Sequence, residues 1–131
     1  MANPTPSLEQ LPEEVMRLVD AMDVEALAAM LTDDAQGIDE ISRGWIRGRP
    51  ALEAYFQQLR ESVSNVRSSV RDVHTLEWGD TAAVTFVLEQ SYAYEGDDVE
   101  ITAPTSLVCR RDAGAWKIAV FHSAPLPEAS D

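Results

Sequence analysis

A histidine, His122, closes the last apolar run of the chain, and its chemical type suits proton transfer. The run from Trp116 to Pro125 reads WKIAVFHSAP, so an imidazole and a hydroxyl follow a strand-like segment. Alternate side chains of a strand share a face, which places His122 with Trp116 and Ile118, opposite the charged Lys117. We therefore expect His122 to face the interior, where an imidazole could move protons. A bulge or a dimer contact would reverse this orientation, and a purely structural histidine is the alternative.

Other kinds of chemistry find little support in the sequence. His74 lies mid-strand beside charged residues, which favours a solvated sheet face, and the lone Cys109 resembles a small buried apolar residue. No cysteine and histidine residues stand at zinc-ligand spacing, so no metal is expected. The glycines are spread among separate turns and form no phosphate-binding loop, so no cofactor is expected. Ser123 adjoins His122 but should point to the opposite strand face, which argues against a serine nucleophile.

Composition restricts the classes of function. The chain has 131 residues, 45% of them hydrophobic, which suffices for the core of one domain without metals or disulfides. A formal charge of −13 repels phosphate and anionic lipid, so neither nucleic acid nor membrane is expected as a partner. The acidity favours solubility, with a surface for a basic partner as the alternative. A single cysteine and the absence of a leader-like or membrane-spanning run predict a cytoplasmic protein.

Helical signals dominate the first half of the chain. Ser7 and Gln10 have the spacing of a capping box before a first helix that ends near Met22, and Asp23 can cap a short second helix. The polar run from Thr32 to Asp34 should stop that helix. A strand is then expected around residues 36–41. Pro50 begins a third helix, whose inward stripe consists of Leu52, Tyr55, Phe56 and Leu59.

Strand signals dominate the second half. Residues 66–78, 81–94, 99–111 and 115–123 are rich in β-branched and aromatic residues and are separated by short turns. Helices followed by a meander of antiparallel strands predict an α+β domain, with the helices packed on one face of a curved sheet. We expect that single domain to span residues 8–124, with flexible tails at residues 1–7 and 125–131.

Three segments in this order carry a resemblance to a known family. They are ALAAMLTDDAQGID (26–39), IRGRPALEAYF (46–56) and RRDAGAWKIAVFHSA (110–124). Together they resemble the nuclear transport factor 2-like superfamily, and within it the SnoaL-like proteins that include ketosteroid isomerases and polyketide cyclases. The resemblance covers nearly the whole chain, from Leu11 to Pro125. It implies a cone-shaped α+β barrel with a mostly apolar pocket, and a homodimer formed through the outer face of the sheet.

The resemblance also implies a catalytic carboxylate. Asp39 occupies the place in TDDAQGID where ketosteroid isomerases carry the general base that removes a proton next to a carbonyl group. Glu40 should face the other way if this segment is a strand. The alternative is that Asp39 is an edge-strand acid that accepts hydrogen bonds from loop amides. The donors that such isomerases use to stabilise the oxyanion fall here on Leu18 and Ser106, and leucine cannot donate a hydrogen bond, so steroid isomerisation is not expected.

Four further residues are candidates for binding a substrate. Trp45, in a loop that often lies near the pocket mouth in this superfamily, and Tyr92 could line the cone with flat apolar surface, and Ser106 could lie beside them. Core packing is the alternative for Tyr92. Arg43 could meet a substrate carboxylate, or it could pair with Asp39 or Glu40.

Two classes of function remain open. The first is a cofactor-independent isomerase or cyclase in which Asp39, with His122, moves protons on a small apolar carbonyl or polyketide-like substrate. The second is a non-catalytic module that uses the same cone to bind a ligand, or the outer sheet face to associate, as the kinase-association members of the superfamily do. An enzyme needs an ionisable side chain that points into the pocket, whereas a module needs only shape and apolar area.

Overall fold

The computed structural model describes residues 6–127, which form three helices and one six-stranded sheet. The helices are α1 (Leu11–Ala21), α2 (Val24–Ala29) and α3 (Arg49–Ser62), and the strands are β1 (Leu31–Ile38), β2 (Ile46–Arg47), β3 (Val63–Trp78), β4 (Thr81–Tyr94), β5 (Asp97–Asp112) and β6 (Ala115–Ser123). Two helices thus precede the first strand, and α3 connects the short strand β2 to the long meander.

The predicted caps fix the ends of the first two helices. Ser7 and Gln10 exchange hydrogen bonds of 3.0 and 3.3 Å between the side chain of each and the backbone N–H of the other. This pair satisfies N–H groups that the helix itself leaves without partners. Met22 ends α1 in the left-handed conformation, and the Asp23 carboxylate then accepts from the Ala26 N–H at 3.2 Å. The chain therefore turns from α1 into α2 within two residues.

The sheet has the strand order β2-β1-β6-β5-β4-β3. All neighbours are antiparallel except β1 and β6, which run parallel. The register of β3 against β4 shifts twice, and Asn65 and Asp72 at those shifts have positive φ angles of 55° and 58°. Such bulges bend a strand and increase its twist, so this edge of the sheet curves around the helices.

The core lies between the helices and the concave face of the sheet. It is formed by buried apolar residues from every layer, among them Leu11, Leu18, Leu27, Leu52, Val84, Phe86, Leu107 and Ile118. Helix α1 packs on β3 and α3 packs on β1. The predicted α+β class, with helices packed on one face of a curved, mainly antiparallel sheet, is confirmed, although the sheet does not close into a barrel.

The structure differs from the sequence prediction at the start of the sheet. The polar run from Thr32 to Asp34 does not follow a helix end as a loop but belongs to β1, which ends at Ile38 and not near Ile41. Leu31 and Ala35 are buried at either side of the run, while the exposed acids Asp33 and Asp34 form ion pairs with arginines on neighbouring elements. The short strand β2 was not predicted, because a two-residue strand has no periodicity.

Parts of the two predicted tails lie outside the described residues, namely residues 1–5 and 128–131. Of the remainder, Ser7 takes part in the capping box, and the Leu126 N–H donates to the Thr102 carbonyl oxygen at 2.8 Å. Within residues 6–127, no helix has the length and apolar character that crossing a bilayer requires.

Candidate functional site

A cavity of about 130 Å³ lies between the helices and the concave face of the sheet. Most of its wall is apolar, and its lining residues come from all three helices, the loop after β1 and strands β1, β3, β4, β5 and β6. The apolar lining includes Val15, Met16, Val19, Met22, Leu27, Met30, Ile41, Phe56, Leu59, Leu88, Leu107 and Phe121. Against this apolar wall the few polar side chains define where a ligand could form hydrogen bonds.

Asp39 lines this cavity and is held by three hydrogen bonds to a single oxygen. Its Oδ1 accepts from the Ile41 N–H at 2.9 Å, the Ser42 N–H at 2.9 Å and the Tyr55 hydroxyl at 2.7 Å. The two amides belong to the turn that follows β1, where aspartate commonly bonds its own backbone. The alternative in which Asp39 accepts hydrogen bonds from loop amides is therefore observed, although Asp39 lies in the turn after β1 and not on a strand, and the same side chain lines the cavity.

The second oxygen of Asp39 remains accessible. All three side-chain hydrogen bonds reach Oδ1, and no buried side-chain oxygen or nitrogen in residues 6–127 lacks a hydrogen-bond partner. It follows that Oδ2 is open to the cavity or to solvent. A carboxylate fixed through one oxygen and free at the other is oriented to accept a proton.

Tyr55 reaches Asp39 from the inward stripe of α3. The side chains of Leu52, Tyr55 and Phe56 follow helical spacing, so the phenol lies beside the buried layer with its hydroxyl directed at the carboxylate. Burial, together with the negative charge of Asp39, raises the pKa of Tyr55 far above its ordinary value. The phenol therefore stays protonated and serves as a hydrogen-bond donor.

Glu40 also lines the cavity, contrary to the prediction that it faces away from Asp39. That prediction assumed strand alternation, but β1 ends at Ile38, and the turn that follows lets both acids point the same way. The Glu40 Oε1 accepts from the Tyr92 hydroxyl at 3.1 Å. Burial first, and the charge of Asp39 in addition, raise the pKa of Glu40 above its ordinary value.

Tyr92 lines the cavity from β4. Its side chain is nearly buried, and burial together with the charge of Glu40 raises its pKa well above the ordinary value for tyrosine. Two acids and two tyrosines thus form a cluster of alternating donors and acceptors: Asp39, Glu40, Tyr55 and Tyr92.

His122 lies on the opposite face of the sheet, so the predicted orientation toward the cone is wrong. Val108 pairs with Val120, but Cys109 pairs with Ile118, which leaves Ala119 as the extra residue of a bulge in β6. One extra residue inverts the alternation beyond it. Phe121 and Ser123 consequently line the cavity, while the His122 side chain is exposed.

Ser106 and Trp45 accompany His122 outside the cavity. Ser106 is paired directly with His122 across β5 and β6, which puts their side chains on the same outer face. The Trp45 ring is 43% exposed, and its centroid lies 6.1 Å from that of His122. Neither residue belongs to the cavity wall.

Arg43 is exposed on the loop between β1 and β2, where it adopts a positive φ angle of 57°. Its backbone N–H donates to the Asp39 carbonyl oxygen at 3.2 Å. Its guanidinium forms no ion pair with any residue that the structure describes, so the predicted pairing with Asp39 or Glu40 is not present. Arg43 therefore contributes backbone, and not charge, to the turn that holds Asp39.

Three further polar side chains complete the lining. Thr105 donates to the Ala103 carbonyl oxygen at 2.9 Å, and its hydroxyl lies 3.1 Å from that of Ser123. The Gln90 amide donates to the Ser68 hydroxyl at 3.0 Å. Across residues 6–127 no group of three or more histidine, cysteine, aspartate or glutamate side chains has the geometry of a metal site.

Sequence reasoning missed two members of the cluster, Tyr55 and Glu40. A tyrosine on the inward stripe of a helix needs a partner for its hydroxyl, and this requirement was the available signal for Tyr55. For Glu40 the signal was Asp39 followed three residues later by Ser42, a spacing typical of turns in which side chains bond the backbone. The backbone N–H of Asp39 does bond the Ser42 hydroxyl, at 3.1 Å.

Comparison with known proteins identifies the family of the sequence and several solved structures of similar fold. The sequence profile of the SnoaL-like domain matches residues 8–127. The CaMKII hub of S. rosetta is 19% identical with a TM-score of 0.79, over 96% of this chain and 99% of that one. A ketosteroid isomerase-like protein from Erwinia carotovora atroseptica is 18% identical with a TM-score of 0.78, over 92% and 94%.

An NTF2-like protein with a cystatin-like fold from Novosphingobium aromaticivorans is also similar, with 18% identity and a TM-score of 0.74 over 94% of this chain and 82% of that one. No curated protein matches the sequence. At these identities the structural likeness establishes the fold alone, so function has to be argued from the cavity.

Proposed function

The chain belongs to the SnoaL-like domain family, and we propose that it binds a small apolar carbonyl compound and shifts a proton on it without a cofactor. Asp39 is the general base. The reaction is of the isomerase or cyclase type, in which removal of a proton next to a carbonyl group is the difficult step. The structural likeness to a ketosteroid isomerase-like protein is consistent with this class of chemistry.

One observation carries the proposal: the Asp39 carboxylate lines an apolar cavity, with Oδ1 fixed by three donors and Oδ2 accessible. A base in such a wall is held in a fixed orientation toward the substrate, and the apolar surroundings exclude part of the water from both. In the proposed step the α-carbon proton moves to Oδ2, and the electron pair of the C–H bond becomes the C=C bond of an enolate. Return of the proton to the same or a conjugated carbon completes the cycle.

The cavity also limits the substrate. A volume of about 130 Å³ is close to that of engineered cavities of about 150 Å³ that hold benzene, which favours a single-ring or short-chain compound. Leu18 is buried in the core and Ser106 lies on the outer face, so the donors of a ketosteroid isomerase have no equivalents at those positions. The proposal does not use His122, whose side chain is exposed on the far side of the sheet.

Exchange of α protons tests the proposal without knowledge of the natural substrate. Small ketones such as cyclohexanone are incubated with the protein in D₂O, and the loss of the α-proton signal is followed by ¹H NMR. The wild-type protein should accelerate exchange, and Asp39→Asn, which removes the base, should lower the enzymatic rate by about 100-fold or more. Asp97→Asn is the matched control, because Asp97 is exposed at the start of β5.

The variants must be shown to be folded by circular dichroism before their rates are compared. Full activity in a folded Asp39→Asn protein would eliminate Asp39 as the base. Absence of exchange in the wild-type protein with a series of small ketones would remove the catalytic proposal.

The second candidate is an association module, and the outer face of the sheet favours it. Leu76, Ala83, Val108 and Val120 form one row across β3, β4, β5 and β6. Leu76 is 58% exposed and Val108 is 36% exposed, so an uncharged band lies open at the centre of this face. We propose that two copies pack these bands together as a homodimer; one protein of similar fold, from S. rosetta, is named a hub.

Light scattering tests this association separately from catalysis. A dimer of the 14.4 kDa chain should scatter as twice that mass, and Val108→Asp should shift it to the monomer. Asp39→Asn should leave the mass unchanged. A wild-type mass of one chain at micromolar concentration would contradict the dimer.

A further inference from the structure

The uncharged band on the outer face of the sheet is too small to hold two copies together by itself. It consists of Leu76, Ala83, Val108 and Val120. A stable interface takes about 20–30 residues from each partner. Further rows of the outer face must therefore take part, and the rows on the two sides of the band differ in charge.

The row on one side of the band carries fixed charges. It consists of Trp78, Thr81, Arg110 and Lys117. The guanidinium of Arg110 lies 3.8 Å from the carboxylate of Asp34. The ammonium of Lys117 lies 4.0 Å from the carboxylate of Asp112. Since charged residues are depleted from the centre of interfaces and common at their rim, an interface should end at this row.

The row on the other side of the band has no fixed charge. This histidine row consists of His74, Thr85, Ser106 and His122, and it contains both histidines of the chain. At its end lies the exposed ring of Trp45, with its centroid 6.1 Å from that of His122. Aromatic residues are enriched at interfaces. The interface can thus extend in this direction without burying a fixed charge.

We propose that the association face extends over the histidine row to Trp45, so that two copies of the chain associate only while His122 is neutral. This inference rests on the second candidate function, association through the outer sheet face. It goes beyond that candidate because it defines the extent of the interface and makes association depend on pH. Histidine is the side chain that gains a positive charge between pH 8 and pH 5.

A protonated His122 would have no acid to offset its charge. The side chains that face it from β1, β5, β6 and the loop after β1 are uncharged: Ile38, Trp45, Pro104, Ser106, Val108 and Val120. The cations on the adjoining loop and strand are Arg43 and Arg47, while the acids Asp39 and Glu40 line the cavity on the other side of the sheet. Burial of an unpaired charge is costly, so protonation should oppose association.

His74 provides an internal comparison, because an acid lies beside it. Its Nε2 is 3.0 Å from the Asp72 Oδ1, so a charge gained by His74 would be offset. The neighbouring charges on β3 and β4, Arg71 and Glu89, already pair with each other at 2.9 Å. The pH dependence should therefore come mainly from His122.

The direction of the pH effect separates this inference from a general effect of charge. The chain has a formal charge of −13 at pH 7 and an isoelectric point of about 4.3. Acidification lowers that negative charge and with it the repulsion between copies, which would strengthen association. The histidine row predicts the opposite, namely weaker association at lower pH.

Sedimentation velocity on a dilution series at pH 7.5 and pH 5.5 measures this effect. The Kd of the wild-type dimer should rise by about 10-fold or more at pH 5.5, because each dimer buries two copies of His122. His122→Gln should have one Kd at both pH values, and His122→Lys should be monomeric at both. His74→Gln is the matched control and should keep most of the wild-type response. Circular dichroism shows that each variant is folded at both pH values.

The extent of the interface is tested by two tryptophans that are both exposed on this side of the sheet. At pH 7.5 Trp45→Ala should raise the Kd by about 30-fold, whereas Trp78→Ala, in the charged row, should raise it by less than about 3-fold. A larger loss from Trp78→Ala than from Trp45→Ala would overturn the proposed extent.

The failure of this inference can be told from the failure of association itself. A wild-type dimer with the same Kd at both pH values would overturn the inference and leave the association standing. So would a His122→Gln dimer that keeps the wild-type pH response, or a His122→Gln protein that is monomeric at both pH values. A wild-type protein that is monomeric at pH 7.5 would refute the association, and the inference with it.

Discussion

Gly37 provides a sharp test of how the cavity wall is built. It is buried on β1 and pairs with Phe121 of β6, whose ring covers it. A Cβ atom added at Gly37 would lie 2.1 Å from two carbons of that ring. The ring also stacks on Phe56 at a centroid distance of 6.4 Å and lines the cavity. Gly37→Ala must therefore displace Phe121 or separate β1 from β6.

The size of the effect follows from this contact. Carbon atoms approach no closer than about 3.5 Å without repulsion, so the ring would have to retreat by about 1.4 Å. Forcing extra atoms into a packed core costs about 1–3 kcal/mol. For a chain of 131 residues this corresponds to a fall in Tm of roughly 3–12 °C.

Thermal unfolding followed by circular dichroism measures this cost, and Gly44→Ala is the matched control. A Cβ atom at Gly44 would have its nearest neighbour, the Ser42 carbonyl oxygen, at 4.0 Å. The Tm of the control protein should therefore equal that of the wild type or be slightly higher. Replacing Phe121 by leucine in the Gly37→Ala background should relieve the collision, so the two substitutions should be less than additive. A Gly37→Ala protein with a wild-type Tm would refute the described packing of Phe121.

Three further predictions concern individual side chains of the interior. Tyr55→Phe removes the 2.7 Å hydrogen bond to Asp39 and should lower the free energy of unfolding in urea by about 1.5–3 kcal/mol, and a loss below about 0.5 kcal/mol would argue against the bond. Because the pKa of Glu40 is raised, its ionisation destabilises the folded state as pH rises through that pKa. Glu40→Gln should thus be more stable than wild type at neutral pH, and this advantage should vanish below the ordinary pKa of 4.5; a pH-independent difference would contradict it. Burial raises the pKa of Cys109 to about 12, so its thiol should react with a disulfide reagent in mildly alkaline buffer only after unfolding, and rapid labelling of the native protein would count against its burial.

Much of the fold could be read from local patterns. The strands β4 and β6 have the bounds that β-branched and aromatic content predicted, and the Ser7–Gln10 and Asp23 caps lie where the sequence placed them. These features depend on residues within a few positions of each other, so their physics is contained in a short window. The family resemblance, which rested on three segments in order, is confirmed over residues 8–127.

The two errors in side-chain orientation, at His122 and Glu40, share one cause, which is that strand alternation holds only while the strand is regular. A single bulge at Ala119 moved His122 to the outer face and brought Phe121 and Ser123 to the cavity. The end of β1 at Ile38 similarly released Glu40 from the alternation that would have turned it away from Asp39. The bulge at Ala119 has no glycine or proline that would indicate it, and the turn after β1 is indicated by the spacing of Asp39 and Ser42, which does not by itself show where the strand ends.

The sequence by itself determined that helices cover one side of a curved, mainly antiparallel sheet, because apolar periodicity fixes which stripe of each element must be buried. It also brought Asp39 forward as a candidate, through its place in a family pattern. Only the tertiary structure decided which polar groups meet around it. Tyr55 and Tyr92 are distant from the acids in the chain, and their hydrogen bonds to Asp39 and Glu40 exist only once α3 and β4 enclose the turn after β1.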